Sequence, residues 1–140
     1  MTTIATDGKV VASDSRMSGA YIDQSGAQKL WRVGASIVAC AGDYAMAIKF
    51  VEWANAGYAP DAKPDISENF EAIVVTKAAI KYYCPHLVGV RVGRPAAIGT
   101  GVHYAMGAML AGASPKRAVE IAKRLDSGTG GKVVTMEVPR

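Results

Sequence analysis

The chain has 140 residues, 50% of them apolar, which is enough for one domain with a real core and too little for two. Its net charge of +4 arises from sixteen Lys and Arg dispersed from Lys9 to Arg140, a distribution that favours a solvated surface over a nucleic-acid groove. Cys40 and Cys84 offer no disulfide framework, Asp7, Lys9, Asp14 and Arg16 interrupt any signal segment, and the small-residue run 96–113 is too short and glycine-rich to span a bilayer, so a cytoplasmic protein without a membrane role is expected.

Residues 2–6 favour extended backbone, and Asp7-Gly8 is a two-residue hairpin turn into a second strand over 9–13. The stretch 15–26, with three serines and two glycines, reads as a connection, and 28–33 and 36–41 form a second hairpin across Gly34-Ala35. Asp43 stands as the N-cap of a helix with two adjoining apolar stripes, Tyr44, Ile48 and Val51 beside Ala47, Phe50 and Ala54, and Gly57 stops it. Residues 58–69, with Pro60 and Pro64, are expected to be a surface loop inside the same domain.

Further strands are expected near 71–77, 80–84, 87–91 and 96–98, followed by a helix over 102–110. Ser114 as N-cap and Pro115 at the first position open another helix that runs to about 125. The loop 126–131 leads to a last strand over 132–138. Strands grouped before helices in each half predict two antiparallel sheets face to face with helices outside, as one domain over 1–140.

A hydroxyl is a weak nucleophile at neutral pH, so a catalytic threonine needs a base beside it, and an amino-terminal threonine carries its own in the α-amine. That amine has a reference pKa of about 7.7 to 8.0, which leaves a large neutral fraction near pH 7. Thr2 gains this property once Met1 is removed, and a small residue in second place permits that removal.

The neighbours give the position its weight. Thr2-Thr3-Ile4 is followed by a hairpin, an apolar strand into Ala12-Ser13-Asp14-Ser15-Arg16, then Gln28-Lys29-Leu30 and Ile37-Val38-Ala39-Cys40-Ala41-Gly42-Asp43. Ala97-Ile98-Gly99-Thr100-Gly101 precedes a small-residue helix, and Arg124-Leu125-Asp126-Ser127-Gly128-Thr129-Gly130 follows the last one. This order resembles the proteasome β-subunit family of threonine-type N-terminal nucleophile hydrolases, and within it the HslV-like peptidases, where Thr also directly follows the initiator methionine. The resemblance covers nearly the whole chain, with a gap at 58–70. Each motif is unspecific alone; their joint order is not.

The resemblance implies an α+β fold, a four-layer αββα sandwich, with one helical layer reduced because 58–70 supplies a loop where the family has a second long helix. It implies a threonine-type endopeptidase subunit of a self-compartmentalising protease, with protein or peptide substrates, a homo-oligomeric ring and an ATP-dependent unfoldase partner. The alternative is a non-catalytic ring or shell subunit of the same fold.

Carried over residue by residue, Thr2 is the nucleophile, Lys29 stabilises its oxygen, and Asp14 orients Lys29. Ala39 supplies an oxyanion N–H, and Asp126 and Thr129 support the amine, with Thr100 at a position where the family often has serine. Met17, Ala27, Trp31, Ile37, Ala41 and Ala45 face an apolar substrate pocket, implying cleavage after hydrophobic residues. No cofactor is required; a monovalent cation such as Na+ at Lys123, Asp126 and Thr129 is the one ligand the resemblance suggests.

Competing chemistry is weaker. Cys84-Pro85-His86 puts a thiol and an imidazole near each other, but the proline fixes the turn and the two do not share a face. Two histidines and two cysteines without ligand spacing make no zinc site, and Gly99-Thr100-Gly101 lacks the third glycine of a dinucleotide turn because Tyr104 occupies its place.

Overall fold

A computed structural model describes residues 2–18 and 23–140. Its elements are β1 (Thr3–Thr6), β2 (Val10–Ser13), β3 (Met17–Ser18), β4 (Asp23–Gln24), β5 (Leu30–Val33), β6 (Ser36–Gly42), α1 (Tyr44–Asn55), β7 (Phe70–Val75), β8 (Ile80–Tyr83), β9 (Val90–Val92), β10 (Ala96–Gly99), α2 (Val102–Leu110), α3 (Pro115–Leu125) and β11 (Val134–Glu137). Met1 and part of the connection expected over 15–26 lie outside the described residues; β3 and β4 pair within that connection.

All strand pairings are antiparallel, in a four-stranded sheet ordered β10-β1-β2-β11 and a five-stranded sheet ordered β5-β6-β7-β8-β9. Period-two alternation in β6 shows how two layers are built at once. Ile37, Ala39 and Ala41 enter the core between the sheets with Ile4, Val11 and Ile73, while Val38 and Cys40 point outward under α1. Ala5 and Ala12 point the other way, against α2 and α3 through Ala105, Ala118 and Val119. The outcome is the expected αββα sandwich, with one helix on the five-stranded sheet and two on the other.

Most elements fall where the sequence puts them, and α2 and α3 coincide with their expected spans. In α3, Ser114 Oγ accepts the Arg117 N–H and Pro115 takes the first position, so the helix start is fixed by side-chain capping. Two details differ. On α1 the buried face is Ala47, Phe50, Val51, Trp53 and Ala54, with Ile48 40% exposed, because the sheet covers the stripe centred on Phe50. The strand expected over 87–91 begins later, at Val90, because Leu87 adopts a left-handed φ of 58° and is buried under α1, which makes 84–89 a turn.

Candidate active site

β1 brings its first residues to one end of the inter-sheet space, and β2, paired to it, ends beside them with Ser13 opposite Ile4. Asp14, the next residue after β2, is therefore set against the chain's beginning: its N–H donates to the Thr3 carbonyl at 3.2 Å and its Oδ1 accepts the Thr3 N–H at 3.2 Å. Lys29, just before β5 on the opposing sheet, reaches across. Its Nζ donates to Thr2 Oγ1 at 2.8 Å and to Asp14 Oδ1 at 2.9 Å. The Gly130 N–H donates to Asp14 Oδ2 at 3.0 Å, so both carboxylate oxygens are engaged.

These groups are closed to solvent: Thr2 is 3% exposed, Lys29 5% and Asp14 0%. Burial lowers the Lys29 pKa, and the neighbouring Asp14 carboxylate offsets only part of that effect, so the net shift is downward. A proton held this reluctantly is a strong donor to a developing alkoxide.

A second hydroxyl network lies behind Thr2. Asp126 Oδ2 accepts from Thr100 Oγ1 and Thr129 Oγ1, each at 2.6 Å, and the Thr129 and Thr3 hydroxyl oxygens are 2.6 Å apart. Each hydroxyl has one hydrogen, so Thr129 donates to Asp126 and Thr3 donates to Thr129. Thr100 is committed to Asp126 as well, and its 3.4 Å approach to the Thr2 carbonyl is a proximity rather than a hydrogen bond. Partial burial raises the Asp126 pKa, but the hydrogen bonds from Thr100, Thr129 and the Gly128 backbone outweigh it and hold the carboxyl below its usual range. Gly99, at φ +98°, is required here because a Cβ would run into the Thr2 carbonyl.

Two cavities meet at Thr2. The first, about 240 Å³, is lined by Met17, Trp31, Cys40, Tyr44 and Ala47, with Lys29 at the Thr2 side. The second, about 230 Å³, is lined by Ala41, Glu71, Gly99 and Thr100; Gly42 and Asn69 border both.

Of the residues expected in the pocket, Met17 and Trp31 line the first cavity and Ala41 lines the second. Ala27 borders a separate hollow with Leu30 and Met136. Two expectations are corrected. Ile37 is completely buried between the sheets, since odd positions of β6 point inward, and Ala45 is exposed on α1, one helical step from Ala47, which does line the cavity. Cys40, Tyr44 and Ala47 line the cavity instead: Cys40 is an outward-facing position of β6, and Ala47 lies on the buried face of α1.

Ala39 is corrected as well. The Cys40 N–H donates to Lys29 O toward β5 and the Asp43 N–H donates to Asn69 O toward β7. Antiparallel alternation then sends the Ala39 N–H toward β7, away from Thr2, and the Gly42 N–H to the β5 side, past the end of that strand and beside Thr2. Gly42 also takes φ +103° and sits where a Cβ would strike the Asn69 carbonyl, so this position admits glycine only. Counting ladder parity from Lys29 would have found it.

Among the described residues no group of three or more His, Cys, Asp or Glu could hold a metal ion, and no helix is long and apolar enough to cross a membrane.

This sandwich, with the first residues of β1 between two antiparallel sheets, has the fold of the proteasome-like N-terminal nucleophile hydrolases. Solved structures similar to it are Thiobacillus denitrificans BPH (TM-score 0.72, 19% identity, 98% of this chain and 97% of that chain) and the same protein in complex with Epoxomicin (TM-score 0.71, 18% identity, 99% of both chains). Eukaryotic HslV from Trypanosoma brucei is similar at TM-score 0.69 and 21% identity, over 97% of this chain and 99% of that one. No family model matches the sequence, and no match is found among the curated proteins.

Proposed function

We propose that the chain is the peptidase subunit of a self-compartmentalising protease that cleaves peptide bonds through an acyl-enzyme on Thr2. The observation that carries this reading is the Lys29 ammonium held 2.8 Å from Thr2 Oγ1, with Asp14 at 2.9 Å behind it. Burying a lysine beside a threonine hydroxyl is unfavourable for folding and useful for chemistry.

In the proposed reaction Met1 is first removed, freeing the Thr2 amine as general base. The amine takes the hydroxyl proton, by way of a water, as Oγ1 attacks the scissile carbonyl carbon. Lys29 stabilises the oxygen as charge develops on it, and the Gly42 N–H receives the carbonyl oxygen as it becomes an oxyanion. Collapse breaks the C–N bond, the departing amine takes the proton held by the Thr2 amine, and water then hydrolyses the ester. Asp126, through Thr100 and Thr129, orients the amine. The acyl side chain enters the cavity of Met17, Trp31 and Tyr44, which favours cleavage after hydrophobic residues. A fluorogenic peptide panel cleaved only after acidic or basic residues would overturn that preference.

The same reading carries a homo-oligomeric ring, an ATP-dependent unfoldase partner and a cytoplasmic location. A monovalent cation would be held by carbonyls at Lys123, Asp126 and Thr129. The Asp126 carbonyl already accepts the Thr129 N–H at 3.1 Å and keeps a second lone pair for such an ion.

The test is intact mass with amino-terminal sequencing, before and after treatment with epoxomicin, the compound bound in one of the BPH structures. The expected result is loss of Met1 and an adduct on Thr2 that Thr2→Ala abolishes. Retained Met1 and no adduct would support a non-catalytic subunit instead.

A further inference from the structure

The second cavity contains a carboxylate that the reaction above leaves unused. Glu71 lies on β7, in the five-stranded sheet, and its Oε1 accepts the Gly99 N–H of β10, in the other sheet, at 3.0 Å. Its Oε2 accepts the Tyr82 hydroxyl at 2.9 Å. The carboxylate therefore ties the two sheets together one residue from Thr100, in the cavity it shares with Thr2, Gly42 and Asn69. Partial exposure and two oxygens with two lone pairs each leave it able to accept further hydrogen bonds from a ligand. Tyr82 feels the same charge: burial, and after it the bond to Glu71, pushes its phenol up to about 12, so the hydroxyl stays a donor.

The position of this cavity fixes what would occupy it. If the acyl half of a substrate places its side chain between Met17, Trp31 and Tyr44, the departing half must leave on the other side of Thr2. Thr100, which the proposed reaction uses to orient the amine that protonates the leaving nitrogen, lines this cavity. Resting on the threonine-peptidase reading, we propose that Glu71 is a specificity residue that selects a cationic side chain, lysine or arginine, on the first residue after the cleaved bond. Its two internal hydrogen bonds pre-orient the carboxylate, so a substrate ammonium or guanidinium meets a fixed partner instead of ordering a free one. An acidic side chain in the same place would face an immobile like charge.

The test uses three internally quenched peptides, identical except for Lys, Ala or Glu after the scissile bond, with the same hydrophobic residue before it. In the unmodified protein kcat/KM is expected to fall in the order Lys, Ala, Glu, with a Lys to Ala ratio of roughly fivefold at low salt that shrinks as salt is added. In Glu71→Gln that ratio should approach one, whatever the absolute rates. Equal cleavage of all three by the unmodified protein would overturn the role of Glu71 while leaving the threonine chemistry standing. An unchanged ratio in Glu71→Gln would do the same. If none of the peptides is cleaved, the peptidase reading fails and this inference goes with it. Should Glu71→Gln not fold, the charge order and salt response of the unmodified protein decide the question.

Discussion

The cluster under α1 and the Thr2, Lys29 and Asp14 group at the end of the sandwich are both buried, yet they are built from opposite materials. Under α1, Phe50 packs against Trp53, Tyr58, Phe70 and Tyr83 with ring centroids 5.1 to 6.4 Å apart, mostly edge-on, an arrangement that stabilises by area and ring geometry. At the other site Asp14, Lys29 and three threonines form a continuous hydrogen-bonded group with almost no apolar surface of its own. An apolar cluster tolerates a loose polar atom, and the Tyr58 hydroxyl is such an atom, buried without a partner among the described residues. A charged cluster does not, because each unpaired group would carry its whole desolvation penalty. One region therefore favours folding, and the other carries a folding cost.

That contrast can be broken experimentally. Thr2→Ala should lower kcat/KM more than about a thousandfold while leaving the melting temperature near that of the parent, as peptide cleavage and calorimetry on the same sample would show. Phe50→Ala should do the reverse, reducing stability by about 3–5 kcal/mol in denaturant titration, with the folded fraction cleaving at the parent rate. Asp14→Asn keeps the shape and removes the charge that holds Lys29; peptide kinetics should show a loss of roughly a hundredfold.

The pH dependence of stability sharpens the contrast further. The Lys29 pKa is depressed in the folded state, so below that depressed value both folded and unfolded chains carry the charge and the burial penalty is felt in full. As pH rises through the folded-state value toward the ordinary 10.5, the folded chain gives up its proton first and gains stability. Denaturant unfolding should accordingly show the parent gaining on Lys29→Met as pH rises toward 10.5; no change in the gap would mean the ammonium is not penalised. The smallest effect belongs to Tyr58→Phe, which removes the unpartnered hydroxyl and should raise stability by between 0 and about 1 kcal/mol in the same assay.

The layers of the fold were readable because apolar alternation and capping residues act locally: Ser114-Pro115 starts a helix wherever it stands, and Asp7-Gly8 turns a hairpin. Thr2, Asp14 and Lys29 were readable through their order in a resemblance. Spacing alone could not have joined them, since Lys29 comes from the opposite sheet. What failed was register. Placing Ala39 as the oxyanion donor and Ile37 and Ala45 at the pocket depends on which way each position of β6 and α1 faces, and for β6 that is settled by pairing with Lys29 and Asn69, partners distant in sequence. Glu71 carried no local signal either, because its hydrogen-bond partners Tyr82 and Gly99 lie on different strands of different sheets.

Asp43 also behaves differently from its expected part. It precedes α1, yet its carboxylate caps no N–H there and instead accepts from Ser67 Oγ and Asn69 Nδ2, each at 3.0 Å. The segment from 58 to 69 is thus fastened at its far end, close to the cavities, and at its near end, where Trp53 Nε1–H donates to the Ala59 carbonyl at 2.9 Å, with a single helical turn at Pro60–Ala62 between. Engineers wishing to lengthen this chain, or to graft a peptide into it, have a natural place near Asp61 and Lys63, both exposed. A single residue added inside β6 would instead exchange the inward and outward positions of the strand and ruin both faces together.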